Sequence, residues 1–327
     1  MHASGFWNAC QSKLWVCVVL KPIFDTNIFG HVQDGSIPAR EWRFLLRHRP
    51  GHGWPISVVT ALELLAALPG ATLDKFQKLK GQIELAHKLS KGRVPLDDPR
   101  FLICKEVFRV PFPDKLPRIE PEVMADHMEV VRCAKSTEDI RNGRVRVKKL
   151  LTRGEGHEGF AGFDPSVIVE LAGGQESPKK EWIRRLEAFA SDIFPNWQEH
   201  FRTTGKRLPD EIRSMIEPRS AWDPEREKFH AVFLEWLGLS ATPELIAQVV
   251  KRLDAVFEFT LWVDREFLLR NYNAEKHESD VYDQFQLHYL AMDRFVIVTA
   301  DPDLWKRTAR SSQAERIQSF DKFLQSL

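Results

Sequence analysis

The sequence predicts an α/β protein whose parallel sheet is interrupted by a long, mostly helical insertion. Three observations predict it. Near the start, an apolar stretch from about Val16 to Phe24 runs straight into Asp25, with Asn27 two residues on. Near the end, Phe295-Val-Ile-Val-Thr299 is a short β-branched run between two helical patterns. Between these ends, residues 71–271 interleave Lys, Arg and Glu with apolar residues at helical spacing, and strand signals are sparse. Strands alternating with helices at both ends favour a parallel sheet with helices on its faces.

Taken in order, the first dozen residues read as a loose leader. Leu14–Leu20 is apolar but too short to span a bilayer, and Pro22 and Asp25 follow at once. A buried strand from Val16 to Phe24 is the better reading. Ala39–Leu46 is helical in pattern, and the Gly- and Pro-rich loop from Arg49 to Pro55 ends it. Ile56-Ser-Val-Val59 reads as a second buried strand. A helix then opens at Thr60 and runs to Leu68, with Thr60 and Glu63 at capping-box spacing. In the central block, helices are expected at Leu73–Leu89, Glu181–Phe189, Glu225–Leu237 and Pro243–Leu269. The last carries a stripe of Leu245, Ile246, Val249, Val250, Leu253 and Val256. The glycine-rich loop Gly154–Gly162 lacks the phosphate-loop pattern. Asp280–Ala291 reads as a helix, Phe295–Thr299 as a strand, and the tail from Arg316 as an edge strand and a last helix.

Bulk composition narrows the function classes. The chain has 327 residues and a formal net charge of +1, so any nucleic-acid-binding surface must be local. Its 10 Trp and 22 Phe provide for a large core. Four cysteines (Cys10, Cys17, Cys104, Cys133) form no C-x-x-C pair, which argues against a zinc site or a disulfide framework and fits a reducing cytoplasm.

Four acids occupy equivalent places. Asp25 ends the first strand, Glu63 lies in the helix after the second, Asp283 lies in the helix before the late strand, and Asp301 lies just past that strand. In a parallel sheet the strand C-termini share one edge, and the start of a helix returning to a strand lies there too. Four carboxylates at one mouth repel, so their pKa values should rise unless a cation joins them. Mg²⁺ or Mn²⁺ fits an all-oxygen set, and a water activated among such acids is suited to phosphodiester hydrolysis. Each acid also has a structural use. Asp25 could cap a helix, Glu63 could complete a capping box, Asp280 and Asp283 could serve a helix dipole, and Asp301 could belong to a turn before Pro302.

Phe24-Asp-Thr-Asn-Ile28, Ile56-Ser-Val-Val-Thr-Ala-Leu-Glu-Leu64, Asp283 standing 16 residues before Thr299, and Thr299-Ala-Asp301 together resemble the motifs of the PIN-domain nucleases. That family includes the ribonuclease toxins of bacterial toxin–antitoxin pairs. The resemblance implies a three-layer α/β/α sandwich with a central parallel sheet, formed by residues 14–70 and 272–327, with 71–271 as a helical insertion lobe. It implies a Mg²⁺- or Mn²⁺-dependent nuclease acting on RNA, and it leaves room for an antitoxin or other protein partner. Asp25, Glu63, Asp283 and Asp301 become the metal-binding acids, with Asn27 and Thr299 orienting them. Asp280, one turn before Asp283, is the alternative third acid. A non-catalytic protein that kept the fold and binds RNA or a partner through its helical lobe is the competing reading.

The central block offers two further candidates. The run from Arg141 to Arg153 contains Arg144, Arg146, Lys148 and Lys149, with no acid, and could hold RNA phosphates or form a solvated face. Trp182, Trp197, Trp222, Trp236 and Trp262 could stack on bases, but their spacing with other apolar residues points to core. His157, His230, His277 and His288 stand alone and receive no catalytic role.

Overall fold

The computed structural model describes residues 20–327 apart from 69–70, 117, 143, 148, 152–153, 156–177, 271, 275 and 278. The chain is mostly helical around a small parallel sheet. Strand β1 is Lys21–Phe24, β4 is Phe295–Thr299 and β5 is Ile317–Ser319, in the order β1-β4-β5 with both pairings parallel. The short strands β2 (Lys149–Leu150) and β3 (Gly154–Glu155) form an antiparallel pair elsewhere. Every residue of β4 is buried, as its uninterrupted apolar run requires of a central parallel strand. The expected start of the first strand, 16–19, lies outside the described residues.

Helices follow the periodicity closely in most places. They are α1 (Thr26–Asp34), α2 (Ala39–His48), α3 (Val58–Ala66), α4 (Leu73–Ser90), α5 (Pro99–Leu102, continued by a π-helical turn to Phe108), α6 (Pro121–Cys133) and α7 (Thr137–Arg141). Further along come α8 (Pro178–Ile193), α9 (Trp197–Thr204), α10 (Asp210–Ile216), α11 (Asp223–Trp236), α12 (Pro243–Arg252) and α13 (Asp254–Leu269). The tail adds α14 (Asp280–Leu287), α15 (Pro302–Thr308) and α16 (Phe320–Gln325). One hydrophobic core joins the sheet residues Ile23, Phe24 and Ile297 to central-block residues such as Phe76, Met124, Val256 and Phe259.

Four expectations are corrected. Ile56–Val59 is not a strand. Helix α3 begins at Val58, and only a single bridge links Ser57 to Leu96, through Leu96 N–H to the Ile56 carbonyl and Val58 N–H to the Leu96 carbonyl. The cap is Ser57, whose hydroxyl accepts from the Thr60 N–H at 2.9 Å, so Thr60 and Glu63 do not form a capping box. Helix α3 is buried on nearly all sides, and a helix apolar all round shows no helical period in its sequence. Pro243–Leu269 is likewise two helices that break at Leu253. Gln313, sixty residues downstream, clips the break: its side chain accepts from Ala255 N–H and donates to the Arg252 carbonyl. Asp280–Ala291 is α-helical only to Leu287 and ends as a 3₁₀ turn.

Candidate active site

Strand register builds the site. Phe24 pairs with Val298, and the Asp25 N–H donates to the Val298 carbonyl at 3.0 Å, which sets Asp25 beside Thr299 at the C-terminal edge of the sheet. Asp25 stands in the N-cap position of α1 but makes no capping bond. Its carboxylate is engaged sideways. The Thr299 hydroxyl donates to Oδ2 at 2.7 Å and the Asn27 amide at 2.5 Å. Thr299 Oγ1 also accepts from Asn27 Nδ2 and from the Asp301 N–H, both at 3.0 Å. The Asn27 carbonyl oxygen accepts from the Ala300 N–H at 2.9 Å. These bonds lock the end of β1, the start of α1 and the end of β4 into one unit.

Glu63 arrives from α3. The Thr60 hydroxyl donates to the Phe24 carbonyl at 3.0 Å, fastening the first turn of α3 to the end of β1. Glu63 lies one turn later on the same helix face. There it accepts from the Thr26 hydroxyl at 2.6 Å, and that same hydroxyl lies 3.3 Å from Asp25 Oδ1. Thr26 thus bridges the first two acids. Its position between Asp25 and Asn27 was the only hint in the sequence.

Asp283 comes from the first turn of α14 and is half-buried. Burial raises its carboxyl well above the usual range, and the negative charges of Asp25, Glu63, Asp280 and Asp301 push the same way. Asp25 is buried, and that burial raises its carboxyl too. The Asp301 charge adds to the rise, while hydrogen bonds from Thr299 and Thr26 oppose it. The four acids predicted at one edge are therefore electrostatic neighbours. Asp301 also serves the local backbone, because its Oδ1 accepts from the Asp303 N–H at 2.8 Å and caps α15.

Asp280 belongs to a different arrangement. It is buried against Arg307 at 2.8 Å and receives the Tyr272 hydroxyl at 2.5 Å. Those two partners occupy its carboxylate, whereas Asp283 faces the other acids. Among the described residues, no three His, Cys, Asp or Glu side chains converge into a ready-made cation cage.

The remaining candidates lie elsewhere. Arg144 and Arg146 are exposed, and their segment is tied to α6 by the Leu151 N–H, which donates to Asp126 at 2.6 Å. Lys148, the Lys149 side chain, His157 and the Trp236 side chain lie outside the described residues, as do 156–162 of the glycine-rich loop. Trp182, Trp197 and Trp222 are core. Burial lowers both His230 and His288 to about 4, which leaves neutral imidazoles at physiological pH. His277 stacks on Tyr272, with ring centroids 4.9 Å apart. No helix among the described residues is long and apolar enough to cross a membrane. Comparison with protein-family models, with curated proteins and with solved structures finds no match to this chain.

Proposed function

We propose that the chain is a divalent-metal-dependent nuclease with a PIN-like centre, acting on RNA. One observation carries the reading: Asp25, held by Thr299 and Asn27 and bridged by Thr26 to Glu63, shares the sheet edge with Asp283 and Asp301. The donor set is all carboxylate oxygen, the chemistry that Mg²⁺ and Mn²⁺ prefer. Asp25, Glu63, Asp283 and Asp301 are the side chains that would hold the ion. When bound, it supplies Lewis-acid polarisation of a phosphoryl oxygen and lowers the pKa of a water. The residues themselves supply orientation. Thr299 and Asn27 fix the Asp25 carboxylate, and Thr26 fixes Glu63 against it.

The test is cleavage of single-stranded RNA with Mn²⁺, comparing wild type with Asp25→Asn and Asp301→Asn. Asparagine caps helices as well as aspartate does, so Asp301→Asn keeps α15 while removing the charge. A loss of about a hundredfold or more is expected in each variant. Unchanged rates in both would refute the nuclease reading.

A second reading has its own support. Because no three acids converge as a cage among the described residues, the edge also fits a binding protein that retains the acids without turnover. Its mark would be a melting temperature indifferent to Mn²⁺, since a ligand that binds the folded state must stabilise it.

A further inference from the structure

A cleft of about 300 Å³ opens between α10, α13 and α15. Six cationic side chains line it: Arg213, Arg265, Arg270, Lys306, Arg307 and Arg310. Three glutamates, Glu217, Glu258 and Glu266, oppose them. The lining is therefore strongly positive in a chain whose overall charge is only +1.

Part of that charge is already committed. Arg307 pairs with Asp280, Arg270 with Glu266 at 3.0 Å, and Lys306 with Asp303 at 2.9 Å, while Arg265 donates to the Glu217 carbonyl at 2.7 Å. The Lys306 pair is exposed at both ends and is easily exchanged for another anion. Among the described residues, the side chains of Arg213 and Arg310 make no ion pair. Trp262 also lines the cleft, with the Arg307 guanidinium 4.6 Å from its ring centroid.

The cleft adjoins the acid edge. Helix α15 begins at its cap, Asp301, and Lys306 and Arg307 lie roughly 8–9 Å further along the same axis. Arg307 belongs to both places, since it lines the cleft and pairs with Asp280, one turn from Asp283.

We propose that this cleft is the binding track for a single nucleic-acid strand. Arg213, Lys306 and Arg310 would hold its phosphates, and Trp262 would take an unpaired base. A polyanion approaching four carboxylates is repelled, and a cationic lining beside them supplies the local attraction that the net charge does not. A stiff duplex cannot enter a cleft of this volume, whereas a single strand can lay its bases on an aromatic face. The direction of the track, toward Asp301 and Asp283, rests on the nuclease reading; the binding itself does not.

The experiment uses the full chain carrying Asp25→Asn, with fluorescein-labelled oligouridine and oligothymidine as probes. Fluorescence anisotropy gives affinity across a KCl series. Each phosphate contact contributes about 0.7 to the slope of log K against log salt for single strands. Arg213→Ala with Arg310→Ala should therefore weaken binding and reduce the slope by about 1.4. Arg144→Ala with Arg146→Ala should leave both unchanged. An unchanged slope in the first pair, a reduced slope in the second, or no binding of either probe by the parent overturns the proposal. RNA cleavage by the chain with Asp25 intact separates the two readings. Cleavage with an unchanged slope sinks the track alone. A reduced slope without cleavage keeps the track and sinks the nuclease.

Discussion

Two kinds of buried acid stand side by side among the described residues. Asp98 lies against Arg100 at 2.5 Å, Asp280 against Arg307 at 2.8 Å, and Asp254 against Arg226. Asp25, only 2% exposed, receives the Thr299 hydroxyl and the Asn27 amide, and among the described residues no arginine or lysine pairs with it. Neutral donors orient a carboxylate but do not cancel its charge, so burial still raises its proton affinity. Asp98, Asp254, Asp264 and Asp280 each have an arginine. At the sheet edge, Asp25 receives only neutral donors, which orient it. The contrast is plainest within α14, where Asp280 and Asp283 stand one turn apart on the same helix and meet opposite surroundings.

Substitution can test whether the two groups differ as described. The largest effect is expected at Arg307→Met, which strands Asp280 as a buried charge and should cost about 3–5 kcal/mol of stability in urea unfolding. If it costs no more than Asp25→Asn, the two groups of acid are not energetically distinct. Asp283→Asn should do the opposite in metal-free buffer. A folded-state pKa above the unfolded one means that the folded chain binds the proton more tightly. Stability then falls as pH rises from the ordinary carboxylate value of about 3.9 through the raised one. Asp283→Asn should flatten that fall above about pH 4. At neutral pH its melting temperature should rise by roughly 2–4 °C for each kcal/mol of repulsion removed. It should also lose the Mn²⁺-induced stabilisation, about 2.7 kcal/mol at a hundredfold excess over Kd. A parallel pH dependence in wild type and variant would show that Asp283 is not among repelling neighbours. The smallest effect is expected at Thr60→Val, which removes the bond to the Phe24 carbonyl at a cost of about 1 kcal/mol. Its RNA cleavage should fall further than that stability loss explains, because Glu63 loses its anchor. Full activity would show that α3 is placed by packing alone.

Much of the sheet edge was legible because its signals are local. Asp25 and Asn27 follow a strand directly, and Thr299 and Asp301 close another, so two short segments carry most of the hydrogen-bond network. Spacing to Thr299 favoured Asp283 over Asp280, but the pairing of Asp280 was not legible, because its partners Arg307 and Tyr272 share no pattern with α14. The false strand at Ile56–Val59 has a similar cause: four apolar residues do not separate a strand from the start of a buried helix. The break at Leu253 is invisible locally because Gln313 makes it. The expectation that Arg144 to Lys149 hold substrate came from charge density along the chain. The cationic cleft collects one or two residues from each of several segments, and no linear run announces it.

The bond between Thr299 and Asp25 joins positions 274 residues apart. Its consequence belongs to synthesis. A chain emerging from the ribosome presents Asp25 and Glu63 early, but β1 has no partner strand until β4 has been made. Closing so long a loop is slow, and it comes late. Any fragment that stops short of Thr299 lacks Asp301 and the strand that gathers the other acids. The acid edge is thereby assembled only after β4 has left the ribosome.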